Sequence, residues 1–133
     1  MTKEEAKKLV QQYVDGWKTN NLDTICQSLD EHCLIIESHG PTYHGVKDVK
    51  NWVDRWVKSK YKVEKWEITS FLFTDDVTVF EWQFAFSSIE TPSRDIDGIT
   101  MVKFEKNKIS FLREYRTVKP LYDWNKDKRL NTY

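Results

Sequence analysis

The chain predicts an α+β fold, a curved mixed β-sheet wrapped as a cone around helices that lie toward the N-terminus. Three observations predict it. Apolar residues recur at helical spacing as far as Val57, then change to the two-residue alternation of strands. The helical segments come early and a run of strands follows, which is the α+β order. The 133 residues include six Trp, six Tyr and seven Phe, enough for one domain with a large aromatic interior.

The first helix starts near Lys3, where Thr2 and Glu5 form a capping box. Ala6, Leu9, Val10, Tyr13, Val14 and Trp17 follow as one stripe. Asn20-Asn21 breaks this helix and caps a short second one, with Leu22, Ile25, Cys26 and Leu29 on one face. Residues 33–37 read as a short buried strand closed by Glu37, and the loop 38–45 follows at once. Gly45 opens a third helix with Val46, Val49, Trp52, Val53, Trp56 and Val57 on one side. Strands are then expected at 62–73, 77–87, 94–105 and 108–118. Thr74-Asp75-Asp76 makes one turn and Lys106-Asn107 a tight hairpin. In the second of these strands Phe80, Trp82, Phe84 and Phe86 alternate with Val79, Glu81, Gln83 and Ala85, so one face packs inward. The domain is expected to span 1–118. Residues 119–133 form a polar tail, docked on it or trailing from it.

Glu37 is the first candidate for chemistry. A carboxylate where a buried strand meets its opening is desolvated, which raises its pKa into the range useful for proton transfer. The alternative is a solvated Glu at a strand end. Tyr13 is either core filler or a pocket donor, because a buried phenol O–H needs a partner. Trp17, Trp52, Trp56, Trp66 and Trp82 are core residues first and pocket lining second, with Trp52 and Trp56 one helical turn apart. On the last strand Leu112, Glu114 and Arg116 share one face, and Phe111, Arg113 and Tyr115 the other.

Composition narrows the function classes. Lys+Arg and Asp+Glu both number 21, so no basic surplus points to nucleic acid or anionic lipid. The charged start lacks an apolar signal core, and no window is long enough to span a membrane. A cytoplasmic setting follows as the expectation, with Cys26 and Cys33 as reduced core thiols. Glu37, His39 and His44 lack the regular spacing of a metal site, and no GxSxG or Gly-rich phosphate loop is present, so neither metal nor cofactor is expected.

From about Lys3 to Thr117 the order of elements resembles the nuclear transport factor 2-like superfamily, in its SnoaL-like and ketosteroid-isomerase-like branch. Asn21-Leu22-Asp23 resembles that family's "GD" turn, and His44-Gly45 its "xG" step into the third helix. Lys108-Ile109…Leu112-Arg113-Glu114-Tyr115 resembles its "GKI…WRDY" final strand. The resemblance implies a cone with an apolar, Trp-lined cavity. Against the ketosteroid isomerases it places Tyr13 on the oxyanion tyrosine, Glu37 on the general base and Thr100 on the protonated acid, where threonine is a far weaker acid. It also matches Glu114 to the aspartate with which epoxide hydrolases of the superfamily activate water, with Arg116 beside it.

What this resemblance implies is a cofactor-free enzyme with Glu37, Tyr13 and Glu114 as catalytic residues. Trp17, Tyr43, His44, Trp52, Trp56, Trp82, Thr100, Leu112 and Arg116 would bind substrate. The expected chemistry is proton transfer, as in an isomerase or cyclase, or water activation on a small apolar or aromatic molecule. The alternative is a non-catalytic ligand binder or a dimeric interaction module. A homodimer through the outer sheet face, with Ile99, Met101, Phe111, Arg113 and Tyr115, is expected in either case.

Overall fold

The structure, a computed structural model, describes residues 1–128. Its elements are α1 (Lys3–Lys18), α2 (Leu22–Gln27), β1 (Leu29–Ile36), β2 (Thr42–His44), α3 (Gly45–Lys58), β3 (Lys62–Phe73), β4 (Thr78–Ser87), β5 (Arg94–Glu105), β6 (Lys108–Arg116) and α4 (Trp124–Asp127). The strands form one six-stranded sheet in the order β2-β1-β6-β5-β4-β3. β1 pairs with β6 in parallel, and every other pairing is antiparallel. The sheet is therefore mixed, as expected. Register shifts in β3, between Val63 and Lys65 and between Ile68 and Ser70, bend the long outer hairpin.

The helices fill the concave side of this sheet. Thr2 caps α1 in the capping box expected of Thr2 and Glu5. Val10, Tyr13, Val14 and Trp17 of α1 and Val49 and Val53 of α3 pack against Cys33 and Ile35 of β1, Phe80 and Trp82 of β4, Val102 of β5, and Ile109 and Leu112 of β6. Each fully buried aliphatic side chain, such as Ile35 or Leu112, contributes roughly 1.5–3 kcal/mol. This core closes the narrow end of the cone, and aromatic residues line the wide end.

Three differences from the sequence expectation have physical causes. Leu29, assigned to the second helix, begins β1 instead, because the chain leaves α2 at Ser28. The Ser28 hydroxyl donates to the Ile25 carbonyl and the Ser28 carbonyl accepts from Ile109 N–H, so sheet pairing takes over there. The loop after Glu37 contains a short strand, β2, in which Tyr43 pairs with Ile35. The tail contains α4. Leu121 and Trp124 are exposed, and the part of the tail at 129–133 lies outside the described residues.

Candidate functional site

The wide end of the cone holds a cavity of about 390 Å³. Each wall comes from a different element. Tyr13 and Trp17 project from α1, Trp52 and Trp56 from α3, and Trp66 from β3. Trp82, Phe84 and Phe86 come from β4, and Ile96 from β5. Glu37 closes the end of β1, and Glu114 and Arg116 stand on the inward face of β6. Chain turns alone could not gather these residues. The parallel β1–β6 pairing does so, placing Ile35 opposite Leu112 and so bringing Glu37 to the same end of the cone as Glu114.

The rings brace one another. Trp17 stands edge-on to Trp56 at 5.8 Å and Trp66 edge-on to Phe84 at 5.3 Å. Among the described residues the indole N–H groups of Trp17, Trp56 and Trp66 are buried without a hydrogen-bond acceptor. Trp82 is the exception. Its Nε1–H donates to Thr100 Oγ1 at 2.7 Å, and both residues are buried. That indole lies over Gly98, its cross-strand partner, where a Cβ would overlap the ring.

Three ionisable groups share this space. Burial pushes the Tyr13 phenol well above its ordinary pKa, and the nearby Glu114 adds to the effect. The Trp17 N–H, which approaches the phenol oxygen without hydrogen-bond geometry, pulls the other way. Burial lifts Glu114 to about 8, helped by the charge of Glu37. Glu114 is only half-buried by surface area, but it lines the cavity, so its accessible surface faces the apolar interior. Burial also raises Glu37, opposed by a hydrogen bond from Tyr43 and by His39 and Arg116. Burial thus favours the neutral phenol and the neutral Glu114 carboxyl, while the neighbours of Glu37 oppose the effect of its burial.

Of the residues singled out in sequence, Tyr13, Trp17, Glu37, Trp52, Trp56, Trp82, Glu114 and Arg116 all line this cavity. Four lie elsewhere. Thr100 is fully buried behind Trp82, which takes up its oxygen. Leu112 sits one step deeper than Glu114 on the same face, in the closed core. His44 is exposed and caps α3, its N–H donating to Asp48 Oδ2 at 2.8 Å. Tyr43 faces Glu37 and an outer groove shared with Trp52, Trp56 and Tyr61. Lining residues outside the expected set include His39, Tyr61, Val63, Phe84, Phe86 and Ile96. Phe84 and Phe86 share parity with Trp82, a signal the sequence carried. Tyr61 follows α3 in a connection with no periodicity to read.

Other chemistries find little support in the side chains. Burial pushes the Cys33 thiol to about 11 and raises Cys26, so neither is an activated nucleophile. Among the described residues no three His, Cys, Asp or Glu side chains gather into a metal-holding group, and no helix is long and apolar enough to cross a membrane.

The fold and site can be set beside known proteins. The family model described as SnoaL-like domain matches residues 10–111. Comparison with curated proteins returns no match. Among solved structures, the chain resembles an LEH-like epoxide hydrolase from M. tuberculosis (TM-score 0.76, 13% identity, 86% of this chain and 84% of that one). It also resembles a protein of ketosteroid-isomerase-like fold from Catenulispora acidiphila in complex with trimethylamine (TM-score 0.73, 15% identity, 83% and 85%). A third is TerC co-crystallised with polyporic acid (TM-score 0.71, 10% identity, 93% and 95%). At these identities the likeness to the solved structures is one of fold. The family match covers most of the chain, from α1 to β6, and the chain belongs to the SnoaL-like domain family.

Proposed function

We propose that this chain is a small-molecule enzyme that moves a proton on an apolar or aromatic substrate bearing a carbonyl group. One observation carries the reading: Glu37, Tyr13 and Glu114 line the same aromatic cavity and perturb one another electrostatically. The apolar walls take the body of the substrate and exclude water. The Tyr13 O–H and the neutral Glu114 carboxyl donate to the carbonyl oxygen. Glu37 takes the proton from the adjacent carbon, and the C–H electron pair becomes the enolate double bond while charge moves to oxygen. Where a C=C bond is conjugated with the enolate, returning the proton to its far carbon completes an isomerisation; attack of the enolate carbon on a second carbonyl breaks that C=O π bond, and the resulting alkoxide takes the proton back from Glu37 to complete a cyclisation. The same base could activate water if an electrophile occupied the cavity. That fold relatives have been crystallised with trimethylamine and with polyporic acid supports a small-molecule ligand.

The test needs no known product. Aromatic ketones and enones that quench the cavity tryptophans are incubated in D₂O, and exchange of the acidic C–H is followed by proton NMR. The wild-type chain is expected to accelerate exchange, and Glu37→Gln to lose about 10²–10⁴-fold. Equal exchange by wild type and Glu37→Gln, with ligand still bound, would favour the second reading, a ligand binder without chemistry. In either case the outer sheet face is proposed to hold a second copy of the chain. Ile99 and Tyr115 pair across β5 and β6 there and stay 37% and 42% exposed.

A further inference from the structure

The cavity contains two carboxyl groups, and among the described residues a side-chain hydrogen bond reaches only one of them. The Tyr43 hydroxyl donates to Glu37 Oε1 at 2.6 Å, a length typical of a bond to an ionised carboxylate. Among the described residues no side chain donates such a bond to Glu114. The difference is built into the backbone. Glu37 sits in the tight connection between β1 and β2, its N–H donating to Pro41 O at 2.9 Å and its carbonyl accepting from Gly40 N–H at 3.0 Å. The Tyr43–Ile35 pairing then fixes Tyr43 beside it.

The phenol is also held from behind. Its ring lies flat on Trp52, 3.9 Å between centroids and 9° between planes. Trp52 is a wall of the cavity and packs on Trp17 at 4.5 Å. Turning the hydroxyl away from Glu37 would mean sliding the ring off this stack. Tyr43 therefore reads as a fixed donor, with one carboxylate oxygen engaged and the other left free.

We propose that Tyr43 is a positioning residue that decides which of the two carboxyls holds the proton in the resting site, keeping Glu37 ionised and leaving Glu114 as the neutral acid. This assignment of base and acid rests on the proposed function, but the proton distribution itself does not. Two carboxyls in one apolar cavity titrate as a coupled pair, so a bias on one moves the other. The groups facing them are Tyr43 from β2, His39 from the connecting loop, Tyr13 from α1 and Arg116 from β6. His39 and Arg116 favour the ionised Glu37 through charge alone, and both are exposed, so solvent screens them. The bond from Tyr43 is short and partly buried.

The experiment is a pH titration of side-chain ¹³C-labelled glutamate carboxyls in the full chain, with Glu37 and Glu114 assigned by Glu37→Gln and Glu114→Gln. Tyr43→Phe keeps the ring stack and removes only the hydroxyl. It is expected to raise the Glu37 midpoint by about one to two pH units, the equivalent of one hydrogen bond to a charged group, and to lower that of Glu114. Trp52→Leu keeps the hydroxyl but frees the ring, and is expected to move Glu37 in the same direction by less. If both midpoints stay within about 0.2 unit of wild type in Tyr43→Phe, well below a single hydrogen bond, the proposal is wrong. If they move as expected while Glu37→Gln leaves C–H exchange intact, the proton assignment stands and the enzymatic reading falls.

Discussion

Thr100 and Glu114 are direct partners across the β5–β6 ladder, yet only Glu114 opens on the cavity. Thr100 is fully buried, and its hydroxyl oxygen is taken up by the Trp82 indole. Likeness to the ketosteroid isomerases assigns the protonated acid to position 100. In this chain the cavity carboxyl, Glu114, stands on the neighbouring strand, and position 100 holds an indole.

Thr100→Val separates these roles. It keeps the side chain's shape but leaves the buried Trp82 N–H without an acceptor, so it is expected to cost about 1–3 kcal/mol of stability in urea unfolding. The Glu114 titration midpoint and any C–H exchange should change little. A large loss of exchange with unchanged stability would restore a direct chemical role to Thr100.

Glu114 should leave a signature in the dependence of stability on pH. Its folded-state pKa of about 8 lies above the ordinary carboxyl value of 4.5. Between these values the unfolded chain has released the proton and the native chain retains it, so stability falls as pH rises from about 5 to 8. The loss across that window is on the order of a few kcal/mol. Glu114→Gln cannot ionise. It should flatten the profile and become more stable than wild type above pH 8, as chemical denaturation at stepped pH would report. A wild-type profile flat from pH 5 to 8 would mean the carboxyl is hydrated after all.

These expectations show what a sequence discloses and what it hides. Helix 1 was legible because Thr2, Glu5 and the stripe to Trp17 are local signals, and the helix 3 stripe was legible for the same reason. The face shared by Leu112, Glu114 and Arg116 followed from strand parity. The limit came along that face: alternation says inward, but depth decides whether inward means core, as for Leu112, or cavity, as for Glu114. Depth depends on the β1–β6 pairing, which joins residues far apart in the chain. Tyr43 was named with the binding residues, but its bond to Glu37 was hidden for a related reason. Its three-residue strand is too short to carry a period, and the partner that gives it meaning, Glu37, lies just past the end of the strand it pairs with. The aromatic residues of β4 were readable by parity with Trp82. The chain around Tyr61 offered nothing to read.

Gly98 sets the shape of the cavity floor. A Cβ there would overlap both the Trp82 ring and the Tyr115 carbonyl oxygen, one a side chain and the other fixed backbone. Gly98→Ala is therefore expected to tilt the indole, break its bond to Thr100 and destabilise the fold by about 1–3 kcal/mol. Tryptophan fluorescence should report a more polar, less uniform indole environment. If stability and emission match wild type, the indole does not depend on that gap.

The outer face of the same strands makes the last prediction. Ile99 and Tyr115 are paired and exposed, and Met101 and Phe111 extend the apolar surface along the strands toward the β5–β6 hairpin. Arg113 lies over the Tyr115 ring at 4.9 Å and Lys103 over Phe111 at 5.6 Å, so cations are interleaved with the apolar side chains. A two-fold partner would bury the apolar side chains, with the cations kept on the faces of the aromatic rings. Sedimentation at tens of micromolar should therefore give twice the 16.0 kDa chain mass. Ile99→Lys places a charge on the most exposed aliphatic residue of the β5 face and touches nothing in the cavity, so it should yield a monomer that still binds ligand. A wild-type chain sedimenting as a monomer would leave this face without a second copy, and the cavity would then have to work within one chain.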